Sequence, residues 1–142
     1  MTTVLTAEID VEAPVREVYR QWARPESFPR YLGAVRSVRR IDDVRSRWTV
    51  EVGGQRDEFY TDVVEQAPDE RVVWQSTDGV FHTGRVDLTD EGEHTHVRLR
   101  MVWEQHGIFD ELGLALDVDA DEAQRDLARF KRFVEDGAAE RA

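Results

Sequence analysis

The sequence predicts an α+β fold in which a curved antiparallel sheet of seven strands packs around one long C-terminal helix. Seven stretches of the chain alternate apolar and polar residues, and the segments between most of them are too short to hold a crossover helix. Near the C-terminus the spacing changes, because Ala123, Leu127, Phe130 and Val134 recur on one helical face. A helix with so broad an apolar face must be covered, and the strands before it are the available partner.

The first strand is predicted over residues 4–11, and two short helical segments follow it. Pro14 suits the first turn of a helix, and the spacing of Val15, Val18 and Trp22 extends that helix to about residue 23. Pro25 and Pro29 then punctuate a second helical piece that ends at Gly33. The two segments should form a platform between the first strand and the rest of the sheet.

Six further strands are predicted in succession, and turn residues separate them. Gly53-Gly54 and Asp78-Gly79 are hairpin signals. The predicted strands cover residues 35–42, 45–52, 55–66, 71–77, 80–89 and 94–105. The last helix is predicted over residues 121–136, with Asp121 as its cap, Gln124 completing a capping box, and Gly137 as its stop.

Composition bounds the class of protein. The 142 residues are expected to form a single domain, 1–142, with a substantial core. The net charge of −11 argues against binding to nucleic acid or to anionic membranes. There is no cysteine, no long apolar run and no nucleotide or nucleophile fingerprint, so we expect no disulfide, no membrane insertion and no cofactor. We expect a cytoplasmic monomer or homodimer.

Alternation also predicts which side chains face the helix, and these are the candidate ligand-binding residues. Small and polar residues such as Thr61, Ser76, Gly84 and Thr95 share the inner face with large aromatics, which favours a cavity over a filled core. The predicted ligand-binding residues are Trp48, Phe59, Thr61, Trp74, Ser76, His82, Met101 and Trp103 from the strands, Phe109 from the loop before the last helix, and Phe130 from that helix.

The chain resembles START-like helix-grip domains, specifically the polyketide cyclase/dehydrase and lipid-transport branch of the SRPBCC superfamily. The resemblance covers nearly the whole chain. It is carried by residues 11–35 (VEAPVREVYRQWARPESFPRYLGAV), 68–76 (PDERVVWQS), 84–88 (GRVDL), 95–99 (THVRL) and 126–135 (DLARFKRFVE). It implies an apolar cavity between the sheet and the long helix. Members include aromatase/cyclases, coenzyme-Q-binding proteins and chaperone-activator domains.

His82 is the one titratable side chain in the predicted strands that faces inward. It could orient a ligand or move a proton near neutral pH, with Tyr31 as a second weak candidate. We favour a structural histidine satisfied by a neighbouring hydroxyl such as Ser76, because no inward carboxylate accompanies it. His94 and His96 share the solvent face without an evident third ligand, so no metal site is predicted.

Three functions remain open at this point. The preferred one is binding of a hydrophobic, polyketide-, isoprenoid- or lipid-like molecule in the cavity. The first alternative is a polyketide cyclase or dehydratase that acts by shape and proton transfer. The second alternative is a protein-interaction module of the chaperone-activator type that uses the outer face of the sheet, although that face is densely charged.

Overall fold

The secondary structure follows the predicted order of strand, two short helices, six strands and long helix. The computed structural model describes residues 2–52, 54–104 and 121–141. The strands are β1 (Thr2–Val11), β2 (Val35–Arg40), β3 (Arg45–Val52), β4 (Gln55–Ala67), β5 (Arg71–Ser76), β6 (Phe81–Asp90) and β7 (Thr95–Glu104). The helices are α1 (Val15–Trp22), a 3-10 helix (Pro25–Arg30) and α2 (Glu122–Arg141).

All seven strands belong to one antiparallel sheet, which confirms the predicted fold class. The strand order is β1-β7-β6-β5-β4-β3-β2, so the first strand of the chain pairs with the last. The β1–β7 register runs from Thr2 opposite Glu104 to Val11 opposite Thr95. Register shifts in β2 and β4 bend the sheet locally, because a bulge increases strand twist.

Helix α2 lies across the concave face, and its end differs from the prediction. It continues through Gly137 to Arg141, so the expected stop at Gly137 is wrong. A glycine inside a helix costs only about 1 kcal/mol relative to alanine, and the good helix formers after it carry the helix on. At the other end, the Gln124 side-chain amide donates to the Glu8 carbonyl oxygen at 3.0 Å, which ties α2 to β1.

An aromatic cluster fills most of the space between the sheet, the short helices and α2. Trp22 of α1 lies at its centre, with its ring centroid 4.7 Å from that of Phe130 and 5.1 Å from that of Tyr31. Phe28 lies 5.0 Å from Trp74 on the sheet side. Such tilted and edge-on pairs are the arrangements that aromatic rings prefer. The predicted inner face is therefore the core.

The outer face of the sheet is charged, as the alternation predicts. Arg45 of β3 pairs with Asp62 of β4 at 2.9 Å, and Arg71 of β5 pairs with Asp87 of β6 at 2.8 Å. Cross-strand ion pairs of this kind leave little apolar surface for a protein partner, which weakens the interaction-module alternative. None of the helices that the structure describes is long and apolar enough to cross a membrane.

Candidate functional site

A small cavity lies at one end of the space between the sheet and α2. Its volume is about 20 Å³, which is room for a single water molecule. Strands β1, β6 and β7, the segment around β2, and the first turns of α2 contribute its walls. The lining residues are Leu5, Leu32, Ala34, Val35, His82, Met101, Trp103, Glu122 and Asp126.

The structure brings only some of the predicted ligand-binding residues to this cavity. His82, Met101 and Trp103 line it. Six others are buried in the core without lining it: Trp48, Phe59, Thr61, Trp74, Ser76 and Phe130. Phe109 lies outside the described residues. The aromatic rings occupy the volume that the sequence assigned to a cavity.

The small residues on the inner face accommodate neighbouring groups and do not widen the cavity. A Cβ atom on Gly84 would lie 2.0 Å from the Trp74 indole, so the glycine lets that ring lie flat against β6. Thr95 uses its hydroxyl to donate to the Ala13 carbonyl oxygen at 2.8 Å. Close packing explains why these residues are small, whereas the sequence interpretation took them as a sign of open space.

His82 is fully buried, and both of its ring nitrogens are engaged. Nε2 accepts a hydrogen bond from Trp74 Nε1 at 3.0 Å, and because an indole only donates, the proton of the imidazole is assigned to Nδ1. Nδ1 then donates to the Val102 carbonyl oxygen at 2.9 Å. The ring stacks on Trp103 with centroids 3.8 Å apart. Burial lowers the pKa of His82 to about 3, so the ring is neutral at physiological pH.

The partners of His82 differ from those expected. Ser76 Oγ accepts a hydrogen bond from the backbone N–H of His82 at 2.8 Å, while Trp74 and a backbone carbonyl satisfy the ring. The preferred interpretation of His82 as a structural residue agrees with this geometry. The predicted hydroxyl partner for the imidazole is wrong, because Ser76 is taken by the main chain.

A buried carboxyl group lines the same cavity, and the sequence interpretation missed it. Asp126 of α2 is 1% exposed, and its Oδ1 accepts from the Gly33 N–H at 3.0 Å and from Arg129 Nη2. Arg129 also lies 3.5 Å from Glu122 Oε1 and donates from Nε to the Tyr31 carbonyl oxygen at 3.1 Å. One guanidinium group therefore lies between two carboxyl groups.

Burial and the neighbouring Glu122 carboxylate raise the pKa of Asp126, while the Gly33 N–H and Arg129 act in the opposite direction. Asp126 therefore exchanges its proton at a higher pH than an ordinary aspartate does. The prediction that no inward carboxyl accompanies His82 is wrong. Asp126 lies on the apolar face of α2, because it follows Ala123 by three positions and precedes Phe130 by four.

Two buried indole N–H groups have no hydrogen-bond partner among the described residues. They belong to Trp22 and Trp48, whose rings both pack against Trp74 with centroids 6.2 Å away. An unsatisfied buried donor costs about 1–3 kcal/mol, so such groups are uncommon in cores. Neither indole lines the cavity.

Tyr31, the weaker candidate for proton transfer, does not line the cavity. Its hydroxyl group is buried, lies 2.9 Å from Ser27 Oγ and donates to the Gln21 carbonyl oxygen at 3.2 Å. Burial raises the pKa of this phenol far above its ordinary value, which keeps it neutral. Its role in the structure is to join the short helices to the core.

The predicted histidine pair lies on the solvent side of β7, close to several carboxylates. His96 Nδ1 lies 2.7 Å from Asp10 Oδ1, and Nε2 lies 3.0 Å from Glu8 Oε1. These contacts raise the pKa of His96 and favour its protonated form. Potential ligand atoms of Asp10, Glu91 and His96 lie within 4.8 Å of one another, so two carboxylates lie beside one histidine of the predicted pair, while His94 is not part of the group.

We still expect no metal dependence, because the contacts of His96 with Glu8 and Asp10 favour its protonated form, which cannot bind a metal, and the group is largely exposed. Overnight treatment with EDTA should leave the melting temperature unchanged. This expectation would be contradicted if EDTA lowered the melting temperature by several degrees and added zinc restored it. The same treatment should then have no effect on His96→Gln.

The architecture is that of a helix-grip domain of the START type, and comparison with known structures agrees. A START superfamily protein from Mycobacterium smegmatis superposes with a TM-score of 0.65 at 17% identity, covering 97% of this chain and 97% of that one. A crystal structure from Deinococcus radiodurans superposes with a TM-score of 0.74 at 26% identity, covering 95% of this chain and 99% of that one.

The chain belongs to the polyketide cyclase/dehydrase and lipid transport family, whose model matches residues 11–133. It is also 32% identical over 134 residues to an uncharacterised 17.2 kDa protein of Streptomyces lincolnensis, encoded in the melC2-rnhH intergenic region. That match covers 93% of this chain and 89% of the relative. Family membership indicates hydrophobic-ligand binding or polyketide-cyclase-like chemistry.

Proposed function

We propose that the protein binds a hydrophobic, polyketide-, isoprenoid- or lipid-like small molecule between the sheet and α2. The observation that carries this proposal is the composition of the cavity wall. Leu5, Leu32, Val35, Met101 and Trp103 make it apolar, and the Glu122–Asp126 pair supplies polar groups at one side. An apolar site with a few placed polar groups is the usual form of a small-molecule site.

The polar groups also restrict the chemistry of the ligand. Asp126 lines the cavity, and burial raises the pKa of its carboxyl, so its protonated form can donate a hydrogen bond to a ligand. His82 already uses both nitrogens, so it offers a ring face and no free proton. An apolar body that carries carbonyl or hydroxyl oxygens, as in quinones and polyketides, suits an apolar wall with a carboxyl group at one side.

Binding requires the cavity to open, because about 20 Å³ holds no ligand of this kind. Met101 is the most adaptable wall residue, since an unbranched thioether changes rotamer at low cost. Ala34 adds no bulk beside it. We infer that the ligand displaces side chains at this end and leaves the rings around Trp22 in place.

The proposal is tested by thermal unfolding with a panel of quinones, polycyclic phenols, sterols and fatty acids. A ligand that binds only the folded chain, present at about 100 times its dissociation constant, stabilises it by about 2.7 kcal/mol. For this chain length that corresponds to a rise of about 5–15 °C in melting temperature. Tryptophan fluorescence should change with the same midpoint, because Trp103 lines the cavity.

A matched pair of variants locates the site. Ala34→Phe fills the cavity from its wall and should abolish the rise in melting temperature that the ligand causes. Ala67 is another half-buried alanine, at the end of β4, so Ala67→Phe should preserve that rise. If no compound in the panel moves either signal, or if Ala34→Phe binds as tightly as the parent protein, the proposed site is wrong.

One observation favours the cyclase/dehydratase alternative as a second candidate. The carboxyl of Asp126 faces the cavity with a raised pKa, so it exchanges a proton closer to neutrality than an ordinary aspartate. Asp126→Asn keeps the shape and removes the proton. If the parent protein converts a ligand that Asp126→Asn binds but does not convert, the protein is an enzyme. If both proteins bind the ligand and neither converts it, the protein is a carrier.

A further inference from the structure

A second concave site lies on the outside of the short helices, apart from the interior cavity. It is a groove of about 290 Å³ between α1, the 3-10 helix and the middle of α2. The lining residues are Gln21, Arg24, Glu26, Ser27, Arg30 and Phe133, none of which lines the interior cavity. The groove is large enough for a molecule of several heavy atoms.

The groove is positive although the chain as a whole is strongly negative. Its only carboxylate among the described lining residues, Glu26, is bound by Arg40 through Nε at 3.2 Å and Nη2 at 3.0 Å. Arg24 and Arg30 have no ion pair with any residue that the structure describes. Arg40 and, to a smaller extent, Arg24 lower the pKa of Glu26, so the guanidinium groups around the groove outnumber its carboxylate. An excess of cations at a concave surface raises the local concentration of anions.

The rest of the lining is pre-organised. Ser27 Oγ lies 2.8 Å from the Arg24 carbonyl oxygen and 2.9 Å from the buried Tyr31 hydroxyl, which holds it in place. Phe133 lies beside the same tyrosine with ring centroids 5.7 Å apart, so one face of its ring is supported by the core. The groove thus combines cationic donors, a fixed hydroxyl and an anchored aromatic ring.

We propose that this groove binds a small phosphate monoester that carries an aromatic or aliphatic group. The phosphate lies between Arg24 and Arg30, where planar guanidinium groups bind phosphate oxygens in bidentate fashion. The apolar group lies on Phe133. A dianionic phosphate matches two cations better than a single carboxylate does. The ligand is a free solute and not a bilayer headgroup, because a chain of net charge −11 is repelled by anionic membranes.

The test is calorimetric titration with phenyl phosphate and with inorganic phosphate. Arg24→Ala/Arg30→Ala should weaken phenyl phosphate binding by about tenfold or more, because charge-assisted hydrogen bonds are lost. Phe133→Ala should weaken phenyl phosphate and leave inorganic phosphate unchanged. Arg16→Ala/Arg39→Ala is the matched control, since it removes the same charge from exposed arginines outside the groove.

Three results would overturn the proposal: no binding of phenyl phosphate by the folded parent protein, equal weakening in the control pair, or equal affinity of the Arg24/Arg30 variant and the parent.

Vesicles of phosphatidylcholine with and without phosphatidic acid distinguish the source of the phosphate. In one outcome the protein sediments only with the vesicles that contain phosphatidic acid, and Arg24→Ala/Arg30→Ala abolishes this. That result would assign the groove to a lipid headgroup and contradict the proposal of a free solute. Ala34→Phe should not affect phenyl phosphate, which separates this site from the interior cavity.

Discussion

Trp74→Ala should lower the free energy of unfolding by about 3–5 kcal/mol, the range for a large aromatic removed from a packed core. Trp74 is 1% exposed and packs against Phe28 and Trp48, with ring centroids 5.0 and 6.2 Å away. Gly84 beneath it has no side chain that could fill the space. The cavity left by the substitution should therefore persist. A cavity that does not collapse gives a loss of unfolding free energy at the high end of this range.

The lost hydrogen bond adds to this cost. Without Trp74 Nε1, the Nε2 atom of the buried His82 has no donor, and an unsatisfied buried acceptor is destabilising. Trp74→Phe keeps most of the ring volume and loses the hydrogen bond, so the difference between the two variants separates packing from hydrogen bonding.

Urea denaturation followed by far-UV circular dichroism measures both variants. Val64→Ala serves as the control, because Val64 is 56% exposed and should change stability little. If Trp74→Ala loses no more than Val64→Ala, the aromatic cluster around Trp22 is not the close-packed core that the structure shows.

The fold was predictable because its determinants are local. Period-two alternation in the strands and helical spacing at Ala123, Leu127 and Phe130 are properties of a few neighbouring residues. Short turns then leave only an antiparallel order. The end of α2 was not predictable from Gly137, because a single glycine is a weak stop signal when helix formers follow it.

The site was harder to predict, since it depends on which groups meet across the sheet. Alternation placed His82 on the inner face, but it could not show that Trp74 and Val102 would occupy both ring nitrogens. Small residues such as Gly84 have the same sequence signature whether they border empty space or a neighbouring ring. Asp126 was predictable from the helical spacing, because it shares one face with Ala123 and Phe130.

The aromatic core and the Glu122–Asp126 pair divide the interior into two parts with different roles. Around Trp22 and Trp74 the rings are close-packed and maintain the fold. At the other end, Met101 and Trp103 border the cavity, and the carboxyl pair is held by Arg129 and the Gly33 N–H. Substitutions in the first part should affect stability most, and those in the second part should affect ligand affinity most.

His82 should make the protein lose stability as the pH falls below about 6.5. The pKa of this histidine is about 3 in the fold, against an ordinary value of 6.5, because burial opposes its charge. Between these values the unfolded chain binds the proton and the folded chain does not, so acid favours unfolding. The stability from His82 is fully present above pH 6.5 and falls by about 1.4 kcal/mol per pH unit below it, to a total of about 4–5 kcal/mol.

The free energy of unfolding in urea is measured at pH 6.5 and at pH 4.5. Between these pH values the parent protein should lose about 2–3 kcal/mol more stability than His82→Gln does. The amide cannot titrate, so the variant lacks this loss even if it is less stable at both pH values. His96→Gln is the control, because Glu8 and Asp10 raise the pKa of His96 and its contribution is lost as the pH rises. Equal losses in the parent protein and in His82→Gln would show that His82 is not held neutral between Trp74 and Val102.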